Sequence, residues 1–176
     1  MLKNQVMAEP LSSNQIHKIA LNIRTLVGLQ QSLYFPILEF VESVLPQIDP
    51  NFNFCIEERR NMTDKYAYYD HTKNEMVVRD DVYDMAYAND GRHRFTIAHE
   101  LGHYILHRNG TKMCRISGNE RIAAYLDPEW QANTFASAIL MPRHLIDGMT
   151  AHEISRYCGT SAQAADIAYK KAKKPS

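Results

Sequence analysis

Apolar positions recur at helical spacing near the start of the chain. In SSNQIHKIALNIRTLVGL they fall on one helical face from Ile16 to Val27, behind a Ser/Asn cap signal, which predicts a helix. A second helical stretch, PILEFVESVL, begins at Pro36 and is expected to stop before Pro46. Residues 1–11 lack such a pattern, so we expect a polar, flexible lead there.

The pattern changes to strand-like pieces after residue 50. FNFCIEE, KYAYYD and NEMVVRD are short and rich in aromatic or β-branched residues, and the polar turn HTKN separates the last two. They predict a small antiparallel sheet, with NEMVVRD as the edge strand to which an extended peptide adds. The following VYDMAYANDGRH is predicted to be a connecting helix or loop.

Two longer helices are predicted in the second half of the chain. RFTIAHELGHYILHR is helical and ends before Asn109 and Gly110. In DPEWQANTFASAILMP, Asp127 is the N-cap, Pro128 takes the first helical position and Pro142 enforces the end. The segment between them, NGTKMCRISGNERIAAYL, is expected to be a variable loop. The elements together predict an α+β fold in which a small antiparallel sheet packs against helices, and the length predicts a single domain over residues 1–176.

The tail, residues 151–176, predicts a helical C-terminal extension. Two short helices lie on either side of Gly159 and Thr160. This arrangement could be a DNA-binding helix-turn-helix. Because the second helix is Ala-rich and the chain is not basic overall, we expect the tail to pack on the domain instead.

Composition and charge exclude several classes of protein. Lys plus Arg (20) balance Asp plus Glu (20), which argues against direct nucleic-acid binding through a basic surface. Cys55, Cys114 and Cys158 are odd in number and widely spaced, so a disulfide framework is not expected. No signal-peptide core and no apolar run of about 20 residues is found. We expect a soluble, cytoplasmic protein that has no membrane partner.

The stretch RFTIAHELGHYILH carries the candidate chemistry. His99 and His103 lie four residues apart on one helical face, so both imidazoles can reach a single ion at about 2.0 to 2.1 Å. Glu100 lies beside them, where its carboxylate can meet a metal-bound water without being a ligand. The alternative is a core helix with histidines at its edge. That alternative leaves three ionisable groups on a partly buried face without partners, which is costly.

A catalytic zinc normally has three protein ligands and an open position. His107 continues the spacing but lies about 12 Å along the helix axis from His99, so it is expected to support a ligand or to pack. Glu129 is the better candidate, with Asn133 on the same face as its hydrogen-bonding partner. The alternative for Glu129 is that it binds no metal, because an acidic side chain in the first turn of a helix is already stabilised by the helix dipole. Cys114 could occupy the open position as a thiolate, although free cysteines are usually buried small hydrophobes.

The residues around the HExxH motif, His99 to His103, match a longer known pattern. RHRFTIAHELGHYILH followed by EWQANTFASAILMP resembles the signature of the ImmA/IrrE family of zinc metallopeptidases. That signature has an arginine and FT before AHELGH, then E, two residues, AN, one residue, FA and a closing LLMP. This chain has ILMP in place of LLMP, and Gln131 where a second glutamate is frequent. The resemblance is specific from Arg92 to Arg143 and looser elsewhere.

The resemblance implies a site and a substrate. It implies that His99, His103 and Glu129 bind one Zn²⁺ per chain, with Glu100 as the catalytic base. It also implies a compact zincin-like domain with HExxH on a central helix. Family members typically act in the cytoplasm of bacteria and their mobile elements, often on helix-turn-helix repressors encoded beside them. The implied partner is therefore a protein substrate, a helix-turn-helix repressor or antitoxin.

The sequence thus predicts a zinc-dependent endopeptidase in which Glu100 removes a proton from a metal-activated water. Tyr104, Tyr125 and His144 are candidates for stabilising the oxyanion, and the sequence does not choose among them. The alternative function is a regulatory or toxin-like partner-binding protein of a mobile element or toxin–antitoxin system, which acts without proteolysis.

Overall fold

The structure is a computed structural model that describes residues 2–108, 110–117 and 122–173, with side chains for residues 6–108, 110–111 and 122–173. It confirms the predicted α+β class. The helices are α1 Ser13–Leu26, α2 Ile37–Glu39, α3 Leu45–Ile48, α4 Asp80–Tyr87, α5 Gly91–His107, α6 Pro128–Leu140, α7 Arg143–Ile146, α8 Ala151–Cys158 and α9 Ala162–Ala172. The strands are β1 Leu2–Met7, β2 Asn53–Glu57, β3 Ala67–Asp70, β4 Glu75–Arg79 and β5 Lys112–Ser117.

One described sheet has the strand order β2-β4-β3. β3 and β4 form the predicted antiparallel hairpin, in which Ala67 pairs with Val78. β2 runs parallel to β4, with Asn53 opposite Glu75, so the prediction of a wholly antiparallel sheet is wrong for this strand. β4 lies between β2 and β3 in the sheet. The chain reverses direction between β2 and β3 and again between β3 and β4, so β2 and β4 run parallel. The predicted edge, NEMVVRD, is therefore the central strand, and β3 is an edge.

The first helical segments follow local signals closely, with one exception. Ser12 caps α1 in a capping box with Gln15, as the Ser/Asn signal predicts. The helical path that begins after Pro36 continues through a π-helical turn at Phe40–Val44 into α3, so the predicted stop before Pro46 is wrong. A π turn widens the helix, and this relieves the clash of a proline ring with the preceding turn.

The N-terminal stretch and the segment after α5 also differ from expectation. We expected no regular structure in residues 1–11 and a loop after His107, but β1 and β5 pair as an antiparallel ribbon. The chain after β1 is also bound, because Ala8 N–H donates to Leu126 O over 2.9 Å and Leu11 N–H donates to Tyr125 O over 3.0 Å. The partners are remote in sequence, and a polar strand without apolar alternation gives no local sign of them.

Helices α5 and α6 cross closely at the centre of the fold. At Gly102 an added Cβ would lie 3.0 Å from the Cα of Ala132, so only a glycine allows this approach without displacement. Ile97 and Leu101 of α5 and Phe135 of α6 are fully buried in the same apolar cluster. This crossing fixes the start of α6 relative to the middle of α5.

The tail packs on the rest of the chain, as we expected. The guanidinium of Arg94 donates to Gly159 O over 2.9 Å and to Phe35 O over 2.8 Å, which joins the α8–α9 turn to the centre of the fold. At Gly91 an added Cβ would lie 2.3 Å from the backbone of Thr160 and Ser161, so that turn sits directly on the N-terminus of α5. Among the described residues, none of the helices has the length and apolar character that crossing a membrane requires.

Candidate metal centre

Helix α5 presents His99 and His103 on one face, because residues four apart are neighbours on a helix. Their Nε2 atoms lie 3.0 Å apart. The Asp90 side chain caps the start of α5 by accepting from the N–H groups of Arg92 and His93, each over 3.0 Å. The spacing and the cap are local properties of the sequence, and together they hold two imidazoles ready for one ion.

Helix α6 brings Glu129 to the same place. Asp127 caps α6 by accepting from the N–H of Glu129 over 2.9 Å, and Pro128 takes the first helical position, as predicted. Glu129 Oε2 lies 3.2 Å from His99 Nε2, and Glu129 Oε1 lies 3.4 Å from His103 Nε2. Zinc bonds of about 2.0 to 2.1 Å in a tetrahedron require ligand atoms roughly 3.3 Å apart. The three side chains therefore fit a zinc ion in both donor type and spacing.

The electrostatics of the three side chains favour a positive charge between them. Hydrogen bonds from His103 and His99 hold the pKa of Glu129 far below its usual range. Burial alone would lower the pKa of His99, but the hydrogen bond to Glu129 and the charges of Glu100 and Glu129 outweigh it and raise that pKa. The cluster attracts a cation, whether a proton or a metal ion.

Asn133 orients His99. Its Oδ1 lies 3.1 Å from His99 Nδ1, so it accepts the Nδ1–H proton and directs Nε2 towards the cluster, where that atom either shares a proton with Glu129 or offers a lone pair to a metal ion. We expected Asn133 to support the carboxylate of Glu129, and that expectation is wrong. Asn133 lies one helical turn beyond Glu129, where its side chain meets the nearer imidazole of α5.

A hydrogen-bonded relay orients His103. The amide nitrogen of Gln131 donates to Glu9 O and to Tyr125 O, each over 2.8 Å, so its Oε1 must accept from His107 Nε2–H over 2.9 Å. His107 then keeps a lone pair on Nδ1 and accepts from His103 Nδ1–H over 3.0 Å. Burial lowers the pKa of His107, which keeps it neutral as this relay requires. With its Nδ1 proton held in this way, His103 turns Nε2 towards Glu129, where that atom either shares a proton with the carboxylate or offers a lone pair to a metal ion.

His107 thus lies next to the candidate ligand His103 and outside the His99, His103 and Glu129 cluster, as its distance along the helix predicts. Gln131 is the residue that sequence reasoning missed, since it appeared only as a departure from the family pattern. The sequence signal for it is a glutamine within the largely apolar helix α6. The side chain of Gln131 is fully buried, and a buried amide must have hydrogen-bond partners. What those partners are depends on the fold.

Glu100 lies beside the cluster without joining it. Its Oε2 accepts from the backbone N–H of Tyr69, in strand β3, over 3.0 Å. Burial raises the pKa of Glu100, and the positive charges of His99 and His103 oppose this. A carboxylate with a raised pKa next to a metal site can accept a proton and later return it.

The other candidates lie elsewhere or are not described. Tyr104 is buried and donates to Asp49 Oδ2 over 2.9 Å, and His144 Nε2 lies 2.8 Å from Gln30 O. Both groups are therefore engaged away from the cluster. Tyr125 is half exposed and lies in a short 3₁₀ turn. Its backbone carbonyl accepts a hydrogen bond from the side-chain amide of Gln131. The side chain of Cys114 lies outside the described residues.

A cleft of about 590 Å³ opens beside the candidate metal ligands. His103, Asp127 and Glu129 line one side of it, and Val6 and Thr111 line another. The cluster is therefore accessible from a space large enough to admit several residues of a peptide. Zinc sites that are purely structural are closed by four protein ligands, whereas the three candidate ligands found among the described residues, beside an open cleft, are typical of catalytic zinc.

Comparison with known proteins agrees with this description. Residues 54–169 match the family Peptidase_M78, described as the IrrE N-terminal-like domain. The match covers more than half of the chain, from within β2 to within α9, and includes every candidate metal ligand. A comparison with curated proteins gave no match. The chain therefore belongs to the IrrE N-terminal-like peptidase family, which confirms the resemblance to ImmA/IrrE proteins seen in its sequence.

Proposed function

We propose that this protein is a zinc metalloendopeptidase that hydrolyses a peptide bond of a protein substrate. The observation that carries the proposal is the approach of His99 Nε2, His103 Nε2 and the Glu129 carboxylate to within 3.4 Å of one another, with Glu100 beside them. When bound, Zn²⁺ supplies Lewis-acid polarisation of the scissile carbonyl and acidifies the attacking water.

Glu100 carries the proton in this mechanism. Its carboxylate takes a proton from the attacking water and passes it to the nitrogen of the leaving amine. The hydrogen bond from Tyr69 N–H restrains one carboxylate oxygen. The raised pKa of Glu100 makes the carboxyl a better proton acceptor than an exposed glutamate, and a group that can hold the proton between the two steps.

Strand β3 is the edge on which an extended substrate segment would lie. Tyr69 directs its N–H to Glu100 and not to β4, so the side of β3 away from β4 faces the catalytic base. Adding a peptide to a sheet edge supplies main-chain hydrogen bonds without regard to sequence. This arrangement selects segments that are unfolded or exposed in the substrate, and it replaces the edge that NEMVVRD was expected to provide.

The proposed substrate is a helix-turn-helix repressor or antitoxin, cleaved in the cytoplasm. The resemblance to ImmA/IrrE proteins supports this partner. The balanced charge of the chain and the packing of the tail helices argue against direct DNA binding as the main activity. Neither a nucleic acid nor a membrane is a proposed partner.

The test combines metal analysis with cleavage of a purified helix-turn-helix regulator whose gene adjoins that of this protein in a genome that carries both. About one zinc per chain is expected, and replacement of His99, His103 or Glu129 by alanine should remove it. Glu100→Gln should keep zinc and fold but lose cleavage, because an amide cannot accept the proton. Glu39→Gln, at an exposed site on α2, is the matched control and should cleave normally. If Glu100→Gln retains its full biological effect, the partner-binding alternative is preferred.

A further inference from the structure

A second hollow, separate from the cleft described above, adjoins the metal centre. It is a groove of about 610 Å³ that lies between α5, α6 and α9, and we call it the α5–α9 groove. Its apolar lining includes Phe95, Trp130, Met141 and Ile167. Asn133 lines it as well, and the same side chain holds His99 Nδ1 over 3.1 Å. A ligand in the groove would therefore lie within one side chain of a zinc ligand.

The rim of the groove is positively charged. Arg92 and Lys171 line it and are exposed, and neither side chain has a hydrogen bond or an ion pair within the described part of the chain. Among the residues that line the groove, none is an aspartate or glutamate. Two cations without acidic partners beside an apolar floor favour a ligand that carries both apolar and acidic groups.

The neighbouring hollow adds to this positive field. It shares Trp130, Met141 and Lys171 with the groove, and adds Arg143 and His17. The pKa of His17 is lowered to about 4, first by burial and then by the charges of Arg143 and Lys171. Because Arg143 and Lys171 contribute to this lowering after burial, their positive charge reaches His17 on α1.

We propose that the α5–α9 groove binds an apolar segment of the protein substrate that carries acidic side chains, and so holds that substrate beside the metal centre. The inference rests on the proposed peptidase function and names the chemistry of what is recognised. A nucleic acid fits less well, because its binding depends on many phosphate contacts, whereas the groove offers two lysine or arginine side chains over an aromatic and aliphatic floor.

This inference gives the C-terminal helix a role. α9 directs Gln163, Ile167 and Lys171, each four residues apart, towards the groove, while Ala165 and Ala168 are buried against the domain. The bonds from Arg94 and the close contact at Gly91 fix the start of α9 on α5. This wall of the groove is thus anchored to α5 at the start of α9.

Trp130 allows a direct test, because it is the single tryptophan of the chain and lines the groove. The Glu100→Gln protein, loaded with zinc, is titrated with a synthetic peptide of leucines and glutamates, and Trp130 emission is followed. A matched peptide has lysine in place of every glutamate. The acidic peptide should shift Trp130 emission saturably and bind on the order of tenfold more tightly than the basic one, less so at high salt.

Charge reversal gives the decisive comparison. Arg92→Glu combined with Lys171→Glu should invert the preference, so that the basic peptide binds more tightly. Lys170→Glu is the control, because this exposed lysine lies on α9 outside the groove and pairs with Asp166. Circular dichroism verifies that each variant is folded. The inference is overturned if the acidic and basic peptides bind the Glu100→Gln protein equally, or if neither peptide binds. It is also overturned if the variant with Arg92→Glu and Lys171→Glu still prefers the acidic peptide.

The binding measurement separates this inference from the proposed function, because it requires no bond cleavage. If the substrate is cleaved but the acidic and basic peptides bind alike, only the groove inference fails. If Glu100→Gln retains its biological effect while Trp130 still reports selective acidic binding, the peptidase proposal fails and the groove remains a partner-binding site.

Discussion

His107 Nδ1 accepts a hydrogen bond from His103 Nδ1–H over 3.0 Å, so a buried imidazole outside the candidate metal cluster orients one that belongs to it. The relay continues through Gln131 to the backbone carbonyls of Glu9 and Tyr125. The orientation of a candidate zinc ligand therefore depends on the segment that follows β1, at the opposite end of the chain from α9.

The relay predicts how its removal affects zinc. His107→Ala and Gln131→Ala should each weaken zinc binding by about 10- to 100-fold, because partners that orient a ligating histidine typically contribute that much. Competition with a chromophoric zinc chelator measures the change. Gln47→Ala removes an exposed glutamine whose amide donates to Ser43 O one helical turn earlier, and it should leave the affinity unaltered. An unaltered affinity in a folded His107→Ala variant would show that the relay does not support the site.

The closeness of α5 and α6 predicts a sensitive position at Gly102. In Gly102→Ala the new Cβ would lie 3.0 Å from Ala132 Cα and 3.1 Å from its carbonyl oxygen, and backbone atoms yield little. We expect α6 to move away from α5, which separates Glu129 from the two histidines and weakens zinc binding. Overpacking of this kind costs typically about 1 to 3 kcal/mol in stability. Zinc affinity and thermal unfolding measure the two effects, and a variant that binds zinc like the parent contradicts the prediction.

Gly91→Ala provides a contrasting result on the same helix. Its Cβ would lie 2.3 Å from backbone atoms of Thr160 and Ser161, so the α8–α9 turn must be displaced. We expect a lower unfolding temperature and weaker binding of acidic peptides in the groove, with about one zinc per chain retained. Hydrogen exchange should show reduced protection in α9 and unchanged protection in α6. Loss of zinc from this variant would mean that the tail supports the metal centre as well.

The partly buried imidazole of His17 predicts a pH dependence of stability. Its pKa is about 4 in the folded protein and 6.5 as an ordinary histidine, so between these values the unfolded state binds more protons. The free energy of unfolding should therefore fall as the pH drops from about 6.5 to about 4. His17→Gln should flatten this part of the profile. Denaturant titrations at several pH values test it, with exposed His152→Gln as the control, whose profile should match that of the parent.

Local rules made much of the chain predictable from sequence. The i, i+4 geometry of a helix places His99 and His103 on one face whatever surrounds them. The Asp127–Pro128 start of α6 and the Ser12 cap of α1 are likewise set by neighbouring residues. The family followed from the same short motifs, and the match over residues 54–169 confirms it. The division of the chain into one domain stays a prediction.

Contacts between distant segments were decided only by the tertiary structure. β1 pairs with β5, and β2 aligns parallel to β4. Both pairings depend on where the fold places whole strands, and the sequence of a single strand does not predict which strand it pairs with. The same holds for Asn133, which meets His99 and not Glu129, and for Gln131, which completes the support of His103. The sequence determined which side chains could bind a metal, because helix geometry is local. The crossing of α5 and α6 at Gly102 decided which of them meet.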